Sequence, residues 1–599
     1  MTTAPSSPLV WDDGQPRSRL FGDIYFSAED GLAESRAVFL TGCGLPQAWA
    51  GRDRFVAAEL GFGTGLNIAA LLQLWRATAP PDARLHIFSI EAHPLSADEA
   101  GQALSQWPEL ADAASALLAK WLGRARGLHR VDLPQFGAIL DLAVMDVADA
   151  LAGWNGKADA WFLDGFSPAL NPGMWSEAVL ALVGQRSAPG ARAATFTVAG
   201  AVRRGLEAAG FTVEKQPGHG RKRQRLEARL PPEPAPQVQT GPVAIIGAGI
   251  AGAAAARALR ALGREVLLFE AEAVGSGASG NPAALVTPRL DAGLGPPAEL
   301  FAQALRRAVA LYDEVPQAVI SCGALQLAAG ERDAHRFAKV VASDLFEAGA
   351  VTPLAAEAAA QRLGEPAPQA LVLAAARVVA TAPILAAWSG EVRHARVAGL
   401  APHDGGWTVL GAGGESLAQV EAVVVATGHR LSELWPEPLL TPIRGQASWT
   451  SGVATPSMAA AWGGYVLARP GGAMFGATHD RGETGVEIRQ ADHLRNRATL
   501  AAGLPRLAEA LADAPLEGRA SIRGSASDNM PVAGPAPGAE PGLFLLTGFG
   551  GRGYCLAPLL AEHVAALATG TPSPLPRPLA ELVDPSRFRR RAARRRGAV

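Results

Sequence analysis

Two glycine-rich segments, each followed by an acidic residue, could hold nucleotide-containing ligands. The first segment and its acid are Gly61, Gly63, Gly65 and Glu91, and the second segment and its acid are Gly247, Gly249, Gly252 and Glu270. Glycine lets the backbone approach a ligand closely, and an acid at the end of the following strand can accept hydrogen bonds from ribose hydroxyls. Two such sites in one chain predict two separate chemical steps.

The spacing of the first segment, GxGxG, is more typical of S-adenosylmethionine enzymes than of dinucleotide-binding proteins. Asn67 follows at the start of the next helix, and we expect it to contact the cofactor together with the glycines and Glu91. Asp146 follows the third apolar strand, where acids that contact adenine often lie. An ordinary loop aspartate is the alternative interpretation of Asp146.

Asp164 is the candidate catalytic residue of the first site. It lies at the carboxyl end of the fourth apolar strand, where open α/β sheets place their substrates. The segment is similar to the Asp/Asn-Pro-Pro-aromatic element of amino-methyltransferases, with Gly-Phe-Ser-Pro in place of the last three positions. Asp164 would orient an acceptor amine and take up its proton, and Phe166 would face a planar base. A simple helix cap is the alternative role of Asp164.

The second segment has the GxGxxG spacing between a strand and a helix, which predicts a dinucleotide with its pyrophosphate at the helix amino terminus. The motif alone does not distinguish a nicotinamide dinucleotide from FAD. Further elements favour FAD because they resemble, in the same order, those of D-amino acid oxidase-like enzymes. In these elements we expect Gln446 to bind substrate and the following residues to bind FAD: Ser279, Asn281, Gly428 and Gly551.

The same resemblance gives roles to two arginines, Arg523 and Arg552. In the glycine and sarcosine oxidase branch, arginines at these positions lie beside the flavin, and the second binds the substrate carboxylate. A guanidinium suits that task because it can bind a carboxylate through two parallel hydrogen bonds. The resemblance implies oxidation of the carbon between nitrogen and carboxylate, with the protein mainly orienting the substrate. A structural salt bridge is the alternative role of each arginine.

The elements that must position these residues are short apolar strands alternating with helices. We predict strands at 54–60, 85–90, 158–163 and 193–197 and helices at 176–185 and 201–209, which indicates an α/β fold with a doubly wound, Rossmann-like sheet. A second Rossmann-type unit carries an inserted α+β substrate domain. The expected domains are a methyltransferase domain at 1–230, a Pro-rich linker at 231–241, a D-amino acid oxidase-like FAD domain at 242–585 and a basic tail at 586–599.

Composition restricts the class of protein. The chain has 599 residues, 49% of them hydrophobic, and a net charge of -2, which is typical of a globular enzyme of several domains. Its three cysteines are far apart, which argues against disulfides and a zinc site. The start lacks the pattern of a signal peptide, and the apolar runs are too short to cross a bilayer. We expect a cytoplasmic monomer that uses neither a metal nor a membrane.

Read whole, the chain resembles the MnmC family of bifunctional tRNA 5-methylaminomethyl-2-thiouridine biosynthesis proteins. The most specific stretch is residues 160–175, and the resemblance runs from the segment at 25–35 to the basic carboxyl end. The resemblance implies that the partner is tRNA, at its anticodon wobble uridine. The FAD domain would remove the carboxymethyl group of 5-carboxymethylaminomethyl-2-thiouridine, and the first domain would then methylate the resulting amine with S-adenosylmethionine.

Two basic groups could contact RNA phosphates. The first comprises Arg203, Arg204, Arg221, Lys222, Arg223 and Arg225, and the second comprises Arg587, Arg589, Arg590, Arg591, Arg594, Arg595 and Arg596. A solvated face, or a disordered tail for the second group, is the alternative.

Two other functions stay open on sequence alone. One is a small-molecule amine oxidase fused to a small-molecule N-methyltransferase. The other is a chain in which only one half is active and the other half docks RNA or supports the structure.

Overall fold

The computed structural model describes residues 7–220, 222–233, 241–437, 439–453 and 458–597. These residues divide into two compact units, Met1–Gln237 with Pro572–Arg577 and Val238–Thr571 with Pro578–Val599. Arg221 and most of the expected linker, residues 234–240, lie outside the described residues.

The first unit is built on a sheet with the strand order β5-β6-β4-β3-β7-β8-β10-β9, whose central strands run parallel. A small hairpin, β1-β2, precedes it. The strands are β1 Leu9–Asp12, β2 Gln15–Ser18, β3 Arg54–Leu60, β4 Arg84–Ile90, β5 Gly127–Leu133, β6 Ala138–Val144, β7 Ala158–Leu163, β8 Ser187–Thr195, β9 Thr212–Pro217 and β10 Gln224–Arg229. The helices are α1 Gly31–Ser35, α2 Leu66–Thr78, α3 Ala97–Leu104, α4 Ala111–Leu118, α5 Val147–Gly153, α6 Glu177–Gln185 and α7 Gly200–Ala208.

Both faces of this sheet are covered by helices, which explains why its central strands are apolar at almost every position. On one face Phe55 and Ala57 of β3 pack in a core that contains Trp75 of α2. On the other face Val56 and Ala58 pack in a second core, together with Trp161 of β7. The predicted doubly wound sheet is therefore confirmed.

One predicted strand boundary is wrong. The strand expected at 193–197 spans Ser187–Thr195. It stops there because the chain turns: the Thr195 hydroxyl accepts a hydrogen bond from Thr197 N at 3.3 Å, and the Thr197 hydroxyl accepts one from Ala199 N at 3.3 Å. Local side-chain bonds of this kind compete with the strand ladder.

The second unit contains a nucleotide sheet in the order β17-β12-β11-β21-β29-β28, a larger sheet in the order β13-β16-β14-β23-β24-β25-β22-β26 joined by β15 and β27, and a small sheet β18-β19-β20. The strands are β11 Val243–Ile246, β12 Val266–Glu270, β13 Ala283–Val286, β14 Val319–Leu327, β15 Val351–Leu354, β16 Ala370–Ala380, β17 Val392–His394, β18 Val397–His403, β19 Gly406–Gly411, β20 Ser416–Val420, β21 Ala422–Val425, β22 Leu440–Ser451, β23 Ala459–Ala461, β24 Tyr465–Arg469, β25 Gly472–Gly476, β26 Asp480–Arg481, β27 Glu517–Ala526, β28 Val532–Pro535 and β29 Leu543–Thr547. The nucleotide sheet is assembled from separate stretches of chain, which confirms the inserted α+β region.

The remaining helices are α8 Ile250–Ala261, α9 Pro296–Tyr312, α10 Glu331–Val341, α11 Ala356–Leu363, α12 Thr381–Ser389, α13 Gln490–Gly503, α14 Pro505–Ala510, α15 Gly553–Thr569, α16 Arg577–Val583 and α17 Arg587–Gly597. The long helix α15 is buried along most of its length, and its Glu562 binds two arginines from neighbouring helices. The Glu562 carboxylate lies 2.6 Å from Nη2 of Arg307 and 3.0 Å from Nη1 of Arg257. Side chains of both Glu562 and Arg307 are about nine-tenths buried or more.

Removing this carboxylate should destabilise the second unit strongly, because Arg257 and Arg307 would both lose the buried acid that they share. We expect Glu562→Ala to lower the free energy of unfolding by about 3–5 kcal/mol. A thermal melt followed by circular dichroism measures the change. Exposed Glu540 provides the control, and a Glu562→Ala melt no lower than that of Glu540→Ala would contradict the assignment.

Candidate active sites

The first glycine segment joins β3 to α2 in a conformation that favours glycine. Gly61, Gly63 and Gly65 have φ of 84°, 52° and 79°. A Cβ on Gly61 would lie 3.2 Å from the Cα of Gly165, so this segment and the loop that follows β7 approach each other at backbone distance. The first glycine segment and the loop of Asp164 can therefore pack closely because Gly61 and Gly165 have no side chains.

Glu91, directly after β4, holds this segment in place. Its carboxylate accepts hydrogen bonds from Gly63 N at 3.0 Å and from His93 N at 2.9 Å. The left-handed glycine backbone and an acid at the neighbouring strand end form the cradle that S-adenosylmethionine requires, and these residues fit that cofactor. Asp146 follows the adjacent β6 and caps α5, where its carboxylate accepts a hydrogen bond from Ala148 N at 2.8 Å.

Asn67, which we expect to contact the cofactor, also hydrogen-bonds two carboxyl groups. Its Nδ2 donates to Asp164 Oδ2 at 2.8 Å and to Glu59 Oε1 at 3.0 Å. Its Oδ1 accepts a hydrogen bond from the Ser35 hydroxyl at 2.6 Å, which fixes the amide orientation. The side chain of Asn67 thus binds two carboxyl groups and fixes the position of the Asp164 carboxylate.

Glu59 is a member of this site that sequence reasoning missed. It is fully buried in β3 and also accepts a hydrogen bond from the Ser89 hydroxyl at 2.6 Å. Burial raises the pKa of Glu59 to about 8, against the lowering effect of its hydrogen bonds. An acid inside an otherwise apolar strand, directly before the glycine segment, was the available signal.

The pKa of Asp164 is raised to about 6, first by burial, while hydrogen bonds from Asn67 and Gly165 N and the positive charge of Lys222 act in the opposite direction. Asp164 is therefore ionised at neutral pH and close to its titration range. A carboxylate with such a pKa can accept a proton from an amine that loses one.

Aromatic rings surround the expected base-facing residue. The ring of Phe166 lies 4.9 Å from that of Phe21 and 5.3 Å from that of Tyr25, measured between centroids. Tyr25 also lies against Gly63, where a Cβ would come within 3.3 Å of its ring. Phe21 and Tyr25 come from the amino-terminal segment, and neither was assigned a role from the sequence.

The residues of the first basic group have different surroundings: some form ion pairs and others are exposed. Lys222 Nζ lies 2.8 Å from Glu34 Oε1 and 4.1 Å from the ring centroid of Phe196. Arg203 pairs with Glu207 at 2.8 Å along α7. Arg204 and Arg223 are exposed. Lys222, whose charge acts on Asp164, is thus the member of this group tied to the first site.

The second site is a cavity of about 1170 Å³. This exceeds the range of roughly 300–1000 Å³ that is usual for one small ligand. The expected residues that line it are Gly247, Gly249, Glu270, Ser279, Asn281, Gly428, Arg523, Gly551 and Arg552. The structure therefore collects nearly all of the predicted flavin-site residues around one space.

The second glycine segment repeats the arrangement of the first. Glu270 accepts hydrogen bonds from Ala248 N at 2.8 Å and from Glu272 N at 3.0 Å. Gly252 lies inside α8, where a Cβ would collide with the carbonyl oxygen of Gly247. Gly252 therefore allows close packing of helix and strand, which is the usual role of the third glycine.

Buried polar atoms beside this cavity lack partners among the described residues. They are Asn281 Oδ1, Thr427 Oγ1 and Arg519 Nη1. An unpaired buried polar group costs free energy, so a bound ligand that supplies partners is expected. A hydrogen-bonding dinucleotide such as FAD fits this set. Ser279 is already occupied, because its hydroxyl accepts a hydrogen bond from Ile250 N at 2.9 Å.

Arg523 and Arg552 both reach the cavity and donate to neutral oxygens. Arg523 Nη2 donates to Thr478 O at 2.7 Å, and Arg552 Nη1 donates to Thr287 O at 3.1 Å. Burial lowers the pKa of both guanidinium groups. No carboxylate among the described residues forms an ion pair with either one, so the alternative of a structural salt bridge does not describe them. Two half-buried cations are left facing a cavity.

Gln446 corrects one of the predictions. It is fully buried, and its side-chain amide binds the backbone of Arg489. Gln446 Nε2 donates to Arg489 O at 2.9 Å, and Gln446 Oε1 accepts a hydrogen bond from Arg489 N at 2.8 Å. Its neighbours Gly445 and Ala447 line the cavity instead. Side chains alternate between the two faces of a strand, so Gln446 points away from the substrate space.

The basic carboxyl end is helical up to residue 597, which corrects the alternative of a disordered tail. Arg587 is buried and binds Asp528 at 2.9 Å. Arg591 also pairs with Asp528, and Arg589 pairs with Glu437. Arg590, Arg594 and Arg595 stay exposed, so part of this group holds the helix and part faces solvent.

Comparison with known proteins identifies both units. Residues 108–231 match the family model of S-adenosyl-L-methionine-dependent methyltransferases, and residues 242–567 match that of FAD dependent oxidoreductases. The tRNA 5-methylaminomethyl-2-thiouridine biosynthesis bifunctional protein MnmC of Caulobacter sp. (strain K31) is 59% identical over 99% of both chains. This chain belongs to the MnmC family. The MnmC protein of Maricaulis maris (strain MCS10) is 42% identical over 97% of this chain and 96% of its own length.

Among solved structures, L-proline dehydrogenase from P. horikoshii covers 59% of this chain and 99% of its own, with a TM-score of 0.51 at 17% identity. That likeness shows the fold of the oxidoreductase unit. As an MnmC family member, the chain is a bifunctional enzyme with a methyltransferase that uses S-adenosylmethionine and an oxidoreductase that uses FAD.

Among the described residues, no helix combines the length and apolar character needed to cross a membrane. The same residues contain no group of three or more histidine, cysteine or acidic side chains arranged to hold a metal ion.

The titration of Asp164 predicts the pH dependence of methyl transfer. A raised pKa near 6 means that the active carboxylate is lost as pH falls through that value. The substrate amine also loses its lone pair by protonation as pH falls, so the wild type is compared with Asp164→Asn, which acts on the same amine. We expect the ratio of wild-type to Asp164→Asn kcat/KM for methylation to fall by roughly tenfold per pH unit below pH 6, measured by transfer of a labelled methyl group. A ratio that stays constant between pH 7 and pH 5 would contradict the role of Asp164.

Proposed function

We propose that the chain modifies the wobble uridine of tRNA in two steps. The second unit removes the carboxymethyl group from 5-carboxymethylaminomethyl-(2-thio)uridine, and the first unit methylates the exposed amine to give 5-methylaminomethyl-(2-thio)uridine. The observation that carries the proposal is that a site suited to an amino-linked carboxylate and a site suited to an amine occur in one chain. Membership in a family named for this biosynthesis favours tRNA over a small-molecule amine.

In the oxidoreductase step, Arg552 and Arg523 would bind the carboxylate of the substrate and so place the carbon between carboxylate and nitrogen for oxidation. FAD, held by the second glycine segment and Glu270, would supply the two-electron oxidation of that carbon. Water then completes the cleavage, which leaves the amine on the nucleoside and releases glyoxylate. The buried surroundings of both arginines strengthen their hold on a carboxylate, because few water molecules compete for it.

In the methyltransferase step, Asp164 would accept a hydrogen bond from the amine and then its proton. Asn67 holds Oδ2 of the Asp164 carboxylate in place. Phe166, with Tyr25 and Phe21, would provide an aromatic surface for the uracil ring. Glu91 and the first glycine segment would hold S-adenosylmethionine, which supplies the methyl group. Attack by nitrogen requires in-line placement, which these fixed side chains favour.

The partner assignments belong to the same proposal. We propose that Lys222, Arg203, Arg204 and Arg223 contact tRNA phosphates, that the enzyme acts as a monomer in the cytoplasm, and that its domains follow the boundaries 1–230 and 242–585. Exposed arginines on α7 and on α17 support phosphate contact. RNA without a known binding module is commonly recognised through shape and a splayed-out loop base.

The test is mass spectrometry of wobble nucleosides after undermodified tRNA is incubated with purified protein. Without S-adenosylmethionine the primary amine should accumulate, and with it the methylamine should appear. Persistence of the carboxymethylated nucleoside, while the flavin-loaded protein oxidises free glycine derivatives, would refute the tRNA function in favour of the small-molecule alternative.

Single substitutions should separate the two steps. Asp164→Ala should lower the methylation rate by about a hundredfold or more and leave carboxymethyl removal unchanged. Arg552→Ala should weaken substrate binding in the oxidoreductase step by about a hundredfold and leave methylation of the amine unchanged. The same nucleoside analysis measures both. Equal loss of both steps in either variant would contradict two independent sites.

A further inference from the structure

The segment between β26 and α13, residues 482–489, lies at the edge of the flavin cavity and is called the rim segment below. Its Val486 and Ile488 line the cavity and are 63% and 57% exposed. Exposed apolar side chains beside a ligand cavity are typical of a surface that a ligand covers. Both side chains are apolar and offer a carboxylate no hydrogen bond.

Two buried side chains hold the backbone of the rim segment. Arg444 donates from Nε to Gly485 O at 2.9 Å and from Nη2 to Glu487 O at 2.7 Å. Gln446 binds both the N–H and the carbonyl of Arg489. The anchored positions are every second residue of the segment.

The residues between these anchored positions, Val486 and Ile488, both line the cavity. The anchors themselves are rigid: Arg444 is fully buried, and its Nη1 lies 2.5 Å from Asp492 Oδ2. The two apolar side chains are thus presented at the cavity by a fixed backbone.

The part of the substrate that contacts Val486 and Ile488 can be inferred from the part that the two arginines do not bind. Under the proposed function, the substrate joins a carboxylate to a uracil ring, and Arg523 and Arg552 bind the carboxylate. The ring has an apolar face, and the cavity of about 1170 Å³ is larger than a single small ligand needs. We propose that Val486 and Ile488 pack against the face of the substrate uracil and select a nucleobase-linked glycyl group over a free amino acid. This inference rests on the proposed function.

The double variant Val486→Ser/Ile488→Ser of the full-length, flavin-loaded protein tests the inference. We expect kcat/KM for carboxymethyl removal from tRNA to fall at least about tenfold, mainly through KM, because each serine removes apolar contact with the ring. The inhibition constant of sarcosine, which has the amine and carboxylate but no base, should stay unchanged. Methylation of aminomethyl tRNA by the same protein should also stay unchanged.

Leu494→Ser is the matched control. Leu494 is 59% exposed on α13 and is absent from the described residues that line the cavity. The kcat/KM of the Leu494→Ser variant should therefore equal that of the wild type. If the double variant binds less flavin than the wild type, the single variant Ile488→Ser is used, and its kcat/KM per bound flavin is compared with that of the wild type.

An unchanged kcat/KM on tRNA in the rim variants, with wild-type turnover intact, would overturn this inference alone. An equal rise in the sarcosine inhibition constant would also overturn it, because the rim would then act on the carboxylate end. Absence of wild-type activity on tRNA would instead overturn the proposed function.

Discussion

A hydrogen bond from a glycine-segment amide to an acid on the neighbouring strand organises each of the two sites. Glu91 accepts it from Gly63 at 3.0 Å, and Glu270 accepts it from Ala248 at 2.8 Å. In both units a second amide, two residues after the acid, binds the other oxygen of the same carboxylate. Parallel strands bring their carboxyl ends to one edge, so this single interaction places loop and acid side by side before any ligand binds.

Features that depend on the order of residues along the chain were predictable from the sequence. The two glycine segments, their acids and the alternation of strands and helices are local patterns, and their positions in the fold follow from the rules for parallel sheets. Asp164 was predictable for the same reason, since it directly follows a buried strand. The arginines of the flavin site required a resemblance, because Arg523 and Arg552 are far from the glycine segment in sequence.

Features that depend on side-chain direction were not predictable. Gln446 belongs to a segment that reaches the cavity, but strand alternation turns it to the other face, where it supports the rim segment. Asn67 was expected at the cofactor, and the hydrogen bonds of its amide to Glu59 and Asp164 were not foreseen. Glu59 was visible as an acid in an apolar strand, yet its partners Ser89 and Asn67 come from other elements. A hydrogen-bond network across strands has no signature in one sequence.

The charges of the flavin site show how binding specificity can be maintained at a cost in stability. Burial lowers the pKa of Arg523 and Arg552, which reflects the free energy of keeping each cation away from water. A stable fold would usually provide a carboxylate nearby, as Glu562 does for Arg307. Here the partners are neutral oxygens of Thr478 and Thr287, and among the described residues no acid forms an ion pair with either arginine that an incoming carboxylate would have to displace. The free energy that it costs to hold these cations away from water therefore becomes binding free energy for a carboxylate substrate.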